Sequence, residues 1–312
     1  MTGDRRFRFG VLASAARDGK TWRQQAIDAE AFGYRCLCVP DHLGQEWAPL
    51  VALTIAACAT SGISLGTLML AADLRLPSVL FKELATLAQI APGRLEVGLG
   101  AGWLATDYRR AGLPMAPAAE RIARLDEAVT ILKKLWQDRS VTFHGTYYTV
   151  HEAVGQPIPP PGQVRWVLGG GGRRMLAVAA AQADVISLGA RLSNSGKGSE
   201  FGQSAMLCRF DERVSWIRAD AGDRFDDIEF SVLVHACAIT DDRDRYASRV
   251  LTRMFGLSGD DALASPLTLV GSVDEICDKL LRLRDRLGIS YWVVPAAQMR
   301  PFADVVARLD GG

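Results

Sequence analysis

The chain has 312 residues, of which 49% are hydrophobic and 23% charged, with a formal net charge of +1. This is the balance of an ordinary globular protein, and it excludes partners held by bulk charge, so neither a nucleic acid nor a membrane surface is expected. No apolar run is long enough to cross a bilayer, the N-terminal MTGDRRFRFG lacks a signal core, and six scattered cysteines suit a cytoplasmic protein.

Along the chain, short apolar strands alternate with amphipathic helices. Residues 7–13 read as a first strand, 22–32 as a helix and 35–40 as a second strand. Cys36-Leu37-Cys38-Val39-Pro40 is apolar without alternation, as in a strand of a parallel sheet buried on both faces. It runs into Asp41-His42, with Trp47 close behind. Ligands of parallel α/β folds sit at the carboxyl ends of strands, and histidine is the side chain that titrates near neutral pH unaided. The plain alternative is an aspartate that caps the next helix beside a loop-filling histidine.

A helix over 49–60, a strand over 63–70 and a helix over 78–90 follow. In the next strand, 94–100, Leu95, Val97 and Leu99 share one face, while Glu96, Gly98 and Gly100 share the other. The glycine face leaves room for something to approach the backbone closely. It continues into Ala101-Gly102-Trp103, which lacks the lysine of a phosphate loop and fits a dinucleotide fingerprint poorly, so turn-making glycines are the alternative. Ile122, Leu125, Val129, Leu132 and Trp136 recur at helical spacing, and 141–150 reads as a hairpin turning at Gly145.

Beyond a proline-rich connector at 156–162, a strand over 164–168 runs into Gly169-Gly170-Gly171-Gly172-Arg173-Arg174 and a helix to 182. Free amides and the positive end of a helix dipole suit an anion there, with the arginines adding charge-assisted hydrogen bonds. A flexible turn with solvated arginines is the alternative. A strand over 184–188, a polar loop or insertion over 193–203 and a helix over 205–219 come next. A strand over 229–239, helices over 243–255 and 272–287, and a last strand over 289–294 complete the series. Eight strands with intervening helices and no dividing linker predict a single α/β domain spanning 1–312. It is a (β/α)8 TIM barrel with a hairpin excursion and a loop insertion in its second half.

Among the other candidate residues, His144 and His151 read as surface groups and His235 as a hydrogen-bonded core histidine. No HExxH, GxSxG or Cys–His pattern is present, and no metal is expected. Trp47 and Trp103 follow strands and could cover a planar ligand, whereas Trp136 and Trp216 read as packing residues.

Several of these segments stand together in a familiar order. Phe32-Gly33-Tyr34, Val39-Pro40-Asp41-His42, Leu65-Gly66-Thr67 and the run from Gly93 to Trp103 are the first. The helix ending in Leu132-Lys133-Lys134-Leu135-Trp136, the hairpin, the run from Val167 to Gly172 and Leu269-Val270-Gly271-Ser272 follow. Over nearly its whole length the chain resembles the bacterial luciferase-like superfamily of flavin- and deazaflavin-dependent oxidoreductases. Asp41-His42 with Trp47 is similar to the branch that uses coenzyme F420, an 8-hydroxy-5-deazaflavin, whereas luciferase-type monooxygenases more often carry Glu-His.

The resemblance implies a cofactor ring lying in the barrel mouth. His42 would move the substrate proton, a role worth about 10²–10⁴-fold. Asp41 would orient His42 or hydrogen-bond the ring, and Trp47 would help exclude water. A non-prolyl cis peptide is expected near Leu68 and Met69, with Thr67, Gly98, Gly100, Ala101 and Gly102 around the ring. Gly169, Gly170, Gly171, Gly172 and Arg173 would hold the cofactor phosphate. The implied reaction moves a hydride between coenzyme F420 and a small organic substrate. An FMN-dependent monooxygenase and a non-catalytic flavin-binding barrel stay open beside it, as do a homodimer and a separate flavin or deazaflavin reductase. Sugar-phosphate dehydrogenases of this branch carry a glutamate directly after the glycine matched by Gly102. Trp103 stands there in this chain, which favours an apolar or aromatic substrate.

Overall fold

The apolar runs become strands because each can bury both faces, one toward a barrel lumen and the other toward a shell of helices. In the computed structural model, which describes residues 5–138, 140–160, 164–192 and 199–309, eight parallel strands close on themselves. They are β1 (Arg8–Leu12), β2 (Cys36–Val39), β3 (Ser64–Thr67, resumed at Leu70–Ala71) and β4 (Leu95–Gly100). The second half supplies β5 (Val164–Gly170), β6 (Val185–Leu188), β7 (Glu229–Leu233) and β8 (Ile289–Pro295). Each strand pairs with the next, and β8 pairs back onto β1 with Phe9 opposite Trp292, so the sheet has no edge. This is the expected TIM barrel.

Alternation along the strands sorts the core into two parts. Cys36, Cys38, Val167, Val185, Tyr291 and Val293 form one cluster in the lumen. Phe9, Leu37, Leu65 and Leu95 belong to the larger one, which packs under the helices. At the amino ends of the strands the lumen is floored by charge. Arg8 reaches both Glu96 and Glu229, and Arg165 meets the same Glu229 at 2.8 Å. Burial works against the charge on Arg8, but the two carboxylates outweigh it and raise its pKa further.

The hairpin forms as expected, from Ser140–His144 and Thr149–Val154. Glu127 fixes its turn by accepting from the amides of Thr146, Tyr147 and Tyr148 at 2.7–3.0 Å.

Three expectations need correction. The run 229–239 is two strands, because after Leu233 the chain leaves the barrel and Ala236–Ile239 pairs instead with Thr268–Gly271. Of the loop expected over 193–203, residues 193–198 lie outside the described residues, and the rest belongs to a helix, Ser199–Ala205. The helix over 243–255 is interrupted by a π-helical turn at Ala247–Leu251. Short helices at Ala105–Ala111 and Ala303–Leu309 had no clear periodic signal.

Candidate active site

At the carboxyl ends of the strands lies a cavity of about 800 Å³. Its polar centre is built from two elements far apart in sequence. His42 follows β2, and its Nδ1 lies 2.7 Å from the Asp107 carboxylate, which comes from helix Ala105–Ala111. The amide of Leu43 donates to the other oxygen of the same carboxylate at 3.1 Å. Asp107 is buried, and Trp103 stands edge-on to the imidazole with ring centroids 5.7 Å apart. A carboxylate on Nδ1 fixes the ring and leaves Nε2 as the nitrogen available to a ligand.

Asp41 also lines the cavity, but it does not orient His42. Its carboxylate takes the Arg75 guanidinium on both oxygens and the Ala71 amide at 2.9 Å, pinning the segment after β3. The orienting carboxylate is Asp107, a residue the sequence reading missed. Trp47 is not on the cavity wall, since its ring packs on Trp22 with centroids 5.5 Å apart. The tryptophan of the mouth is Trp103.

The expected cis peptide is found between Leu68 and Met69, and both residues line the cavity. Thr67 and Gly98 stand behind them. The Thr67 hydroxyl donates to the Gly98 carbonyl and accepts from the Gly98 amide, each at 2.9 Å. Gly100, Ala101 and Gly102 continue the wall. Gly102 has φ +70, and a Cβ there would collide with the Tyr108 hydroxyl.

Gly169, Gly170, Gly171 and Gly172 line the cavity on the far side. Gly172 opens helix Arg173–Gln182 without a side-chain cap, and a Cβ on it would meet nothing within 4 Å. The first-turn amides of such a helix have no intrahelical partner. A Cβ on Gly171, by contrast, would come within 2.5 Å of backbone atoms of Ala190 and Arg191. Arg173 is not part of this wall. It turns outward to pair with Asp220. The arginine that serves the loop is Arg213, whose Nε donates to the Gly171 carbonyl at 3.2 Å and whose Nη2 donates to the Ser204 carbonyl at 2.7 Å. Burial, helped by Arg191, pushes its pKa down to about 10. Its Nη1 is buried without a partner among the described residues.

His235 is hydrogen-bonded to the Leu233 carbonyl as expected of a core histidine, but it also lines the same cavity, which the sequence did not indicate. Among the described residues no group of three or more His, Cys, Asp or Glu side chains could hold a metal ion.

The family model of luciferase-like monooxygenases matches residues 7–260. The chain belongs to that family. Among its curated relatives, an F420-dependent glucose-6-phosphate dehydrogenase of Kribbella flavida is 28% identical over 95% of this chain and 89% of its own length. A second, from Microbacterium testaceum, is 31% identical over 71% of this chain and 66% of its own. A third, from Kineococcus radiotolerans, is 39% identical over 43% of each. The chain spans less than two thirds of the length of several of the curated relatives it matches. In fold it superposes on an F420-dependent secondary alcohol dehydrogenase with a TM-score of 0.77 and 20% identity, covering 98% and 99% of the two chains. The F420-dependent tetrahydromethanopterin reductase of Methanopyrus kandleri gives 0.78 and 18%, covering 98% and 100%.

Proposed function

We propose that this protein is a coenzyme F420-dependent oxidoreductase that moves a hydride to or from a small apolar or aromatic substrate. The observation that carries this reading is the His42–Asp107 pair opening into a cavity whose opposite wall is bare glycine backbone at an uncapped helix start. The F420-dependent relatives named above support the choice of cofactor.

The residues present fit such a group. A side chain on Gly172 would fill open space, as expected for a phosphate cradle, and the apolar wall of Leu68 and Met69 suits a planar ring. Gly170, Gly171 and Gly172 would hold the phosphate, while Leu68, Met69, Gly100, Ala101 and Gly102 would lie along the ring. When bound, F420 supplies a carbon that carries the hydride.

What the chain itself does is move a proton and shut out water. With Nδ1 held by Asp107, His42 keeps Nε2 toward the substrate oxygen, where it takes a proton during oxidation or gives one during reduction. Asp107 stabilises the imidazolium whenever the ring is charged. Trp103, Leu104 and Ile122 line this part of the mouth. An aromatic residue stands where sugar-phosphate enzymes of the family carry a glutamate, and this supports a substrate without phosphate.

The test is titration of the purified protein with F420 and with FMN, read by cofactor fluorescence. Tight quenching by F420 is expected, and micromolar binding of FMN with no response to F420 would overturn the assignment.

The one-domain reading is supported by a shell core that runs through both halves of the barrel. All six cysteines are free, which supports a cytoplasmic setting. Among the described residues no helix is long and apolar enough to cross a membrane. Exposed Val51, Leu76 and Val79, on or beside the neighbouring helices Pro49–Ala59 and Pro77–Ile90, favour a homodimer, which light scattering would test. Reduced cofactor would come from a separate deazaflavin reductase.

A further inference from the structure

The mouth divides into two arcs. From β3 round to β6 the wall includes Leu68, Met69, Gly100, Gly171 and Gly172, which are assigned above to the cofactor, and Trp103 and Asp107, which face His42. From β7 through β8 and β1 to β2, it presents Leu233, His235, Leu12, Ser14 and His42. His42 follows β2 and His235 follows β7, strands three steps apart in the ring of eight, and both side chains line the one cavity.

His235 takes no part in the proton transfer described for His42. Its Nδ1 lies 3.0 Å from the Leu233 carbonyl. A carbonyl only accepts, so Nδ1 carries the proton, and in the neutral ring Nε2 is a bare lone pair. The Phe201 ring lies tilted against the imidazole with centroids 5.5 Å apart and holds its plane. Nothing among the described residues donates to Nε2. Burial lowers the pKa of the imidazole, which keeps the ring neutral at neutral pH. Its one N–H is given to Leu233, so Nε2 can accept a hydrogen bond and has none to give.

On the reading of the mouth given above, we propose that His235 determines substrate specificity, its Nε2 accepting a hydrogen bond from a hydroxyl or N–H of the substrate remote from the reacting carbon. The substrate class that follows is an apolar or aromatic body with two polar ends. The reacting oxygen lies at His42 and a second hydrogen-bond donor at His235. A molecule without that donor would leave the lone pair enclosed with no partner, and sites built this way discriminate against such analogues.

Two shape-matched probes test this. 2-Naphthol and 2-methoxynaphthalene share one ring body, and only the first has a donor. The protein should bind 2-naphthol about three- to tenfold more tightly, the gain of one hydrogen bond, as read from probe fluorescence. That ratio should fall to about one in His235→Leu and recover in His235→Gln, whose amide oxygen can occupy the place of Nε2. In protein with 15N-labelled histidine, the Nε2 resonance of His235 should move with 2-naphthol and stay still with the ether. This last reading needs no variant and stands even if a substitution impairs folding. A ratio near one in the unmodified protein, failure of both probes to bind, or a preference that survives in His235→Leu overturns the proposal. The titrations are run with and without F420. Absence of F420 quenching would end the deazaflavin reading alone, whereas a ratio near one with F420 bound would end the role of His235 alone.

Discussion

At the floor of the barrel Arg8 is shared by Glu96 and Glu229, and Glu229 also takes Arg165. At the mouth, among the described residues, His42 is held by Asp107 on one ring nitrogen only. Both ends bring charged side chains into a protein interior, where an unpaired charge is costly, yet they solve the problem differently. The floor closes its network, and each charge there ends on another. The mouth leaves it open, so the carboxylate passes its influence through the imidazole to whatever lies above. Barrels commonly keep stability at the amino ends of their strands and chemistry at the carboxyl ends, and here one device, a carboxylate beside a base, is put to both uses.

Substitutions at the two ends should therefore fail in different ways. His42→Ala is expected to lower turnover by about 10²–10⁴-fold while F420 affinity stays nearly unchanged. Asp107→Asn, which keeps the shape but releases the ring, should cost on the order of 10²-fold and alter the pH–rate profile. Steady-state kinetics on any substrate that reduces or oxidises the cofactor reads both. Turnover near that of the unmodified protein in either variant would mean that the mouth is as inert as the floor. Glu229→Ala should do the reverse. It leaves Arg165 and half of Arg8 uncompensated, with an expected loss of about 3–5 kcal/mol in urea denaturation and little change in turnover per folded molecule. A loss under about 1 kcal/mol would show that solvent screens the floor.

Gly172→Val sharpens the contrast within the mouth. The added Cβ has no protein atom within 4 Å, so the fold should survive while F420 affinity falls by about tenfold, some 1.4 kcal/mol. Unchanged affinity would move the phosphate elsewhere. The smallest effect is expected from pH. The folded pKa of His235 lies below its ordinary 6.5, so the unfolded chain binds this proton first as pH falls. Stability from this group is fully present above about 6.5 and is lost as pH drops through the lower folded value. His235→Leu should flatten that part of the denaturation profile, and an identical slope in both proteins would contradict it.

Much of this arrangement was legible in the sequence. The strands announced themselves because each is buried on both faces and so reads as an unbroken apolar run. The Asp41-His42 step and the glycine run sit at strand ends, where local sequence marks the position, whereas the cis peptide was expected from the family resemblance alone. What stayed hidden depends on contacts across the fold. Asp107 lies on a seven-residue helix with no apolar stripe, and it meets a histidine 65 positions earlier. Arg213 looks like a charge on an amphipathic helix, and only the fold reveals that it bridges the carbonyls of Gly171 and Ser204. Trp47 and Trp103 both follow strands, so sequence could not tell which would face the cavity. His235 was misplaced because the run 229–239 carries no mark of the point where it leaves the barrel.

Thr67 has a consequence of a different kind. Regular pairing between β3 and β4 stops after Gly66 opposite Glu96 and resumes at Leu70 opposite Leu99. Across that gap one hydroxyl serves both the amide and the carbonyl of Gly98, standing in for a missing stretch of backbone. Valine has the same outline and could do neither, and it would leave two enclosed polar groups unmatched. Serine could do both. Position 67 is thus governed by hydrogen-bond valence rather than by volume, so the tolerated alphabet there is two letters long. A library selected only for folded protein should return threonine and serine at this position whatever substrate the mouth is later altered to accept.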